Sequence, residues 1–191
     1  MIDYVQDNPR RLALKRANPQ LFKLRQRIKV AGFECATLGN LFLLDYPIRM
    51  ALQCSRRLTQ TEIDNKKEEC LVDAKRGALF VSAGISEGEK QICRAIREAG
   101  YPLIILLKDG FPQESDPHYK YFKPQGVYYE MCAAGRLLLV EPAAELYEDH
   151  LIEEDVYCKA GVIPHDTLRY KFLALNMFAN RISLNETEST D

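Results

Sequence analysis

The 191 residues, 47% of them hydrophobic, can bury a full core and fit one domain with an extension. A formal net charge of −1 excludes a strongly basic nucleic-acid binder judged on bulk charge. No run approaches the roughly 20 apolar residues of a membrane span, and six scattered cysteines without a CxxC pair exclude a disulfide framework and a zinc site.

Charge is unevenly distributed along the chain. Residues 1–30 hold eight Lys and Arg against Asp3 and Asp7, whereas residues 141–155 hold seven acids and no Lys or Arg. The two segments read as complementary patches within one molecule or between copies, as a basic arm for nucleic acid, or as solvated faces. The N-terminus is charged and lacks an apolar signal region, and unpaired cysteines suit a reducing compartment. The expected location is the cytoplasm.

Residues 9–30 have helical spacing, with Leu12, Ala13, Leu21, Leu24 and Ile28 as apolar positions and a break at Asn18-Pro19. Gly39-Asn40 then turns the chain ahead of the apolar patch Leu41–Leu44. The run Ile48–Cys54 predicts the first core strand, ending in the polar, cationic loop Ser55-Arg56-Arg57. Residues 60–76 predict a helix with apolar positions Ile63, Cys70, Leu71 and Ala74, closed by Gly77.

The next stretch, Ala78–Lys90, organises the rest. Ala78–Val81 is a continuous apolar run of the kind a parallel strand buried on both faces needs. Gly84 and Gly88 allow a sharp turn and a close backbone approach. Ser86 stands where a helix N-cap belongs, with Glu89 at capping-box spacing. Such a junction aims free N–H groups and a partial positive charge at one point, which suits phosphate; the plainer alternative is a capped turn that binds nothing.

A helix follows over residues 87–99 on Ile92, Cys93, Ile96 and Ala99. Pro102–Leu107 reads as the third strand, residues 127–134 as a short helix, and Arg136–Val140 as the fourth strand. Strands alternating with helices predict a parallel sheet with right-handed crossovers. The last helix, from Asp166 to Ser183, carries Leu168, Phe172, Leu175, Ala179 and Ile182 on one stripe. Leu173, Met177 and Phe178 lie off it, which predicts two buried sides.

Ligands of open parallel sheets bind outside the carboxyl ends of strands. There the first two strands offer Ser55 and Arg56 beside Ser82, Gly84 and Ser86, and a guanidinium can hold a phosphate bidentately. Lys108-Asp109-Gly110 and Glu141 follow the next two strands at the same edge. His118, His150 and His165 fall in separate predicted loops. Tyr119, Tyr121, Phe122, Tyr128 and Tyr129 form an aromatic cluster that either stacks bases or packs over the sheet edge. No GxGxxG, Walker A or GxSxG motif occurs.

Several segments together resemble the Rossmann-like domain of the DNA-processing protein A (Smf) family, within the wider superfamily that includes cytokinin-activating phosphoribohydrolases. They are Gly39-Asn40 with Leu43-Leu44, Ala51–Arg56 ending in Ser-Arg, the Ser-Gly loop Val81–Gly88, and Gly135–Glu141. Glu89-Lys90 is similar to a branch of short homologues with Ser-x-x-Glu-Lys at this point. The match covers roughly residues 39–142. The resemblance implies a pocket that accommodates phosphate and, in that family, a role in binding single-stranded DNA. The chain departs from the pattern where the family has Arg-Asn-Arg: only Asn176, within Leu173–Phe178, aligns. The phosphoribohydrolase motif is also absent.

The expected fold class is therefore α/β: a Rossmann-like three-layer fold with a mostly parallel sheet of four or more strands, plus N- and C-terminal helices. Residues 1–38 form a helical extension, 39–184 the Rossmann-like domain, and 185–191 a disordered tail. The expected function is a non-enzymatic module that binds a nucleotide or nucleic-acid phosphate. Its ligand-binding residues are Ser55, Arg56, Ser82, Gly84 and Ser86, joined by Glu89, Lys90 and Asn176. No catalytic residue, metal or cofactor is assigned. The alternatives are an enzyme for a nucleotide-like small molecule, with Glu89 or Glu141 as general acid/base, and a scaffold that dimerises. Expected partners are a nucleotide or single-stranded nucleic acid, and a second copy docked through the C-terminal helix; no membrane is expected.

Overall fold

The computed structural model describes residues 2–111, 126–147 and 168–184. The three histidines, Tyr119, Tyr121, Phe122, Cys158, most of the acidic segment and the C-terminal tail lie outside the described residues.

The first departure from expectation comes early. Helix α1 spans Ile2–Ala17 and stops before Asn18-Pro19; a single 3-10 turn follows at Pro19–Phe22, and the rest of the expected helix is the first strand of a hairpin. Strand β1 is Arg25–Val30 and β2 is Phe33–Gly39, paired antiparallel with Val30 opposite Phe33. The turn residues Ala31 and Gly32 both have positive φ, 46° and 87°, the two-residue geometry that matches strand twist. Arg27 also has positive φ (56°), within the irregular register between Arg25 and Ile28. The helical reading of residues 23–30 is thus corrected. β2 is buried at Cys35, Ala36, Thr37 and Leu38, so tertiary pairing outweighs the helical spacing upstream.

The four apolar runs form the parallel strands β3 (Arg49–Ala51), β4 (Leu79–Ser82), β5 (Leu103–Leu106) and β6 (Leu137–Glu141). The sheet order is β1-β2-β6-β5-β4-β3, with β3 to β6 parallel and β2 antiparallel to β6. Because side chains alternate across a strand, each run feeds two cores. Phe80, Leu103, Ile105, Leu137 and Leu139 pack under helices α2 (Gln60–Lys75), α3 (Glu87–Glu98) and α4 (Val127–Ala133). Leu79, Val81, Ile104, Leu106, Leu138 and Val140 pack against helix α5 (Leu168–Ser183). This is an α/β, three-layer, Rossmann-like fold with a mixed, mostly parallel six-stranded sheet.

The buried stripe of α5 is rotated from the expected one. Ala174, Leu175, Phe178, Ala179 and Ile182 face the core, while Leu168 is 60% exposed. The helix is anchored at both ends of β3. Arg49 Nε donates to the Ile182 carbonyl (2.7 Å), and Gln53 Nε2 donates to the Asn176 carbonyl (2.9 Å). No helix among the described residues is long and apolar enough to cross a membrane.

Gly39 shows how tightly the hairpin is seated. Its φ is +120°, and a Cβ there would lie 2.1 Å from the Leu137 carbonyl oxygen. The adjacent Asn40 donates through Nδ2 to the Gly135 carbonyl (2.8 Å), tying the lead-in to the start of β6.

Candidate functional site

Helix α3 begins as its sequence demands: Ser86 is the N-cap, and its hydroxyl accepts from the Glu89 N–H (3.1 Å). Glu89 then goes elsewhere than capping-box spacing suggests. It stands on the apolar stripe of α3 with Ile92, Cys93 and Ile96, at i, i+3, i+4 and i+7, and is only 2% exposed. Its carboxylate accepts from the Ile85 N–H (2.8 Å) and the Cys54 N–H (3.2 Å), with the Ser82 hydroxyl at 3.4 Å. One side chain therefore fastens the loop after β3 to the loop after β4. The sequence predicts these loops to be neighbours; it does not reveal that an internal anion joins them.

Two glycines make the junction possible. Gly84 has φ +59° and donates its N–H to the Ser82 hydroxyl (3.1 Å). A Cβ at Gly88 would lie 3.2 Å from Cys54 Cβ and from Ile63 Cγ1, so glycine lets α3 pack closely on β3's end and on α2.

The remaining expected residues surround this knot. Ser55 is exposed, and its hydroxyl accepts from the Arg57 N–H (3.2 Å). Arg56 is exposed, with its guanidinium carbon 5.3 Å from the Phe172 ring centroid on α5. Asn176 joins the neighbourhood through its backbone carbonyl, the acceptor from Gln53. Lys90 is exposed on the opposite flank, its Nζ 3.8 Å from Glu87. The structure thus gathers Ser82, Gly84, Ser86 and Glu89 at one turn. Ser55 and Arg56 lie on the α5 side of it, and Lys90 on the other.

Beside the turn lies a cleft of about 480 Å³ that runs from Gly84 and Lys108 along α3 towards Arg97. Cys93, Leu103 and Ile105 contribute apolar lining, and Tyr128 of α4 completes it. Burial raises the Tyr128 phenol above its ordinary value, with the Cys93 thiol adding to the effect, so the ring carries a neutral hydroxyl at pH 7. Cys93 itself is pushed up to about 12 by burial, which makes it an inert part of the wall. Sequence reasoning missed Arg94 and Arg97, although Lys90, Arg94 and Arg97 recur at i, i+4 and i+7 and so share one helix face. Tyr129, by contrast, is core: it packs 4.8 Å from the Phe22 ring centroid, and its hydroxyl donates to the Arg11 carbonyl.

The loop after β5 is braced rather than open. Glu141 Oε2 accepts from the Phe111 N–H (2.8 Å), and a Cβ at Gly110 would meet Glu141 Oε1 at 2.6 Å. Lys108 pairs with Asp109 at 2.6 Å. Neither Glu89 nor Glu141 lines the cleft. Among the described residues, no three His, Cys, Asp or Glu side chains converge to hold a metal ion.

No family model matches the chain, and no curated protein does. Among solved structures, the chain is similar to DNA processing protein A from Helicobacter pylori, a protein with a unique single-stranded DNA binding mode. The TM-score is 0.50 at 22% identity, over 85% of this chain and 66% of that one. The chain thus spans slightly less than two thirds of that protein. The same family is the one its sequence resembles. The two proteins share a fold.

Proposed function

We propose that this chain binds a nucleotide or single-stranded nucleic acid through phosphate groups, at the carboxyl edge of the parallel strands. The observation that carries this reading is the Glu89 knot. By holding the Cys54 and Ile85 N–H groups on one carboxylate, it fixes two strand-end loops side by side, with Arg56 on one flank and Lys90 on the other. Those N–H groups are already taken, so the ligand's phosphates meet exposed cations rather than the turn itself. A fold shared with a single-stranded DNA-binding protein supports nucleic acid as the ligand class.

Binding without chemistry fits the carboxylates better than catalysis does. Glu89 and Glu141 both spend carboxylate oxygens on backbone N–H bonds and neither is among the residues that line the cleft, so neither is well placed to exchange a proton with a ligand bound there.

The test is fluorescence anisotropy with a labelled oligothymidylate at several salt concentrations. Wild-type protein should bind, and Arg56→Ala/Lys90→Ala should weaken binding. Removing two phosphate contacts should also lower the log–log salt slope by about 1.4, from roughly 0.7 per contact on a single strand. Absence of binding to both the oligonucleotide and free nucleotides would refute the proposal.

A further inference from the structure

We infer that the cleft along α3 is a second section of the nucleic-acid track, holding one unstacked base against Tyr128 while Arg94 and Arg97 take the adjoining phosphates. This rests on the nucleic-acid reading above and extends it to Arg94 and Arg97, which the sequence reading does not assign, and to Tyr128, for which that reading leaves base stacking and packing both open.

Three observations carry it. First, Lys90, Arg94 and Arg97 present cations along one face of a rigid helix, over about 10 Å at 1.5 Å rise per residue. Arg94 is exposed and its guanidinium makes no ion pair or hydrogen bond among the described residues, while Arg97, its side chain 20% exposed, has Glu98 at 3.9 Å and acts electrostatically on Tyr128. The Lys90 end adjoins the strand-end loops, so the cationic line continues the proposed phosphate site.

Second, the cleft has an apolar interior beneath that charged rim. Cys93, Leu103 and Ile105 line it, and its volume of about 480 Å³ suits a group the size of a nucleoside. A rim of cations over an apolar interior matches a ligand with charged backbone and planar, poorly hydrated bases.

Third, among the described residues Tyr128 is the only aromatic one lining the cleft, while its neighbour Tyr129 turns into the core. A part-buried tyrosine has little rotamer freedom left to lose, which suits it as a stacking platform. Lys108 stands at the strand-end mouth paired with Asp109 at 2.6 Å, so the cations left to meet phosphates are those of α3.

The experiment compares Arg94→Ala/Arg97→Ala and Tyr128→Leu with wild type and with Arg56→Ala/Lys90→Ala, using labelled oligothymidylate. Circular dichroism and urea midpoints verify that each variant is folded. The arginine pair should reduce the salt slope by about 1.4, and loss of stacking in Tyr128→Leu should weaken binding roughly tenfold with the slope unchanged. Tyr128→Phe should retain wild-type affinity, since stacking needs only the ring. Suppose the Arg56/Lys90 pair weakens binding while the arginine pair and Tyr128→Leu leave affinity and slope unchanged. The cleft assignment then falls and the strand-end reading stands. Competition by thymidine monophosphate as strong as by the oligonucleotide would also overturn it, because a strand-binding track gains from successive phosphates. If wild type binds no nucleic acid, both fall.

Discussion

Replacing Glu89 with alanine removes the acceptor from two backbone N–H groups in a place that water does not reach. The donors are Ile85 (2.8 Å) and Cys54 (3.2 Å); the Ser82 hydroxyl at 3.4 Å is too long to count for much. Hydrogen bonds to a charged group are worth about 1.5–3 kcal/mol each, so the two together set a loss of about 3–6 kcal/mol. Removing the carboxylate also ends its own desolvation cost, which places the expected loss at the lower end, about 3–4 kcal/mol. With a urea m-value of about 2 kcal/mol/M, the denaturation midpoint should fall by roughly 1.5–2 M at unchanged m. Glu89→Gln keeps one oxygen for Ile85 but sets an amide NH2 against the Cys54 N–H. It should lose about 1–3 kcal/mol, the cost of one unsatisfied buried donor. Glu98→Ala, on the same helix with its side chain 66% exposed, is the control and should stay within about 0.5 kcal/mol. Urea titration followed by far-UV circular dichroism reads all three. A Glu89→Ala midpoint within 0.5 M of wild type would refute the idea that this carboxylate joins the loops.

Gly39→Ala should be more damaging than any surface change, because its Cβ would lie 2.1 Å from a backbone oxygen that cannot swing away. A loss of at least about 3 kcal/mol or failure to fold is expected, and a near-native melting temperature would contradict the close seating of β2 on β6. Arg10 forms a two-pronged pair with Glu130 (2.6 and 3.2 Å) at exposed positions, so Arg10→Ala should cost no more than about 1 kcal/mol by the same titration. Burial pushes Cys35 and Cys70 up to about 11, and Cys93 and Cys132 up to about 12, from an unfolded value of 9.0. The fold therefore favours the neutral thiols. Their contribution is complete below pH 9 and is lost as pH rises from 9 through 11–12, so urea midpoints should fall across that window. At pH 8, alkylation followed by mass spectrometry should find Cys93 and Cys132 unlabelled until urea unfolds the chain, and rapid native labelling would contradict their burial.

The parallel strands were legible because strands buried on both faces leave unbroken apolar runs such as Leu103–Leu106. The hairpin was not, for two physical reasons. β1 is an edge strand whose alternation is short, with only Ile28 and Val30 turned inward beside Arg27 and Lys29, while Leu21, Leu24 and Ile28 fall at helical spacing. Its turn is Ala-Gly, and Ala31 takes a positive φ that sequence rules assign to Asn, Asp or Gly. At the candidate site, the turn and the nearness of the Ser55 loop were readable, but the target of the Glu89 side chain was not. The available clue was an acid in phase with Ile92, Cys93 and Ile96, a position where a charge must find buried donors. Arg94, Arg97 and Tyr128 come from two elements separated by β5, so only tertiary structure brings them to one cleft.

The pairing of β2 with β6 has a consequence for how the chain is made. Ala36 sits opposite Glu141, so the inner edge of the hairpin acquires its permanent neighbour only after about 100 further residues have been joined, some 5–20 seconds of synthesis at ordinary rates. During that interval a two-stranded ribbon, marginal on its own, exposes Ala36 and Leu38 and an open row of backbone donors and acceptors. The last parallel strand to emerge therefore closes the sheet, and a nascent chain stalled before Leu137 is the species most open to misassociation or capture by a chaperone.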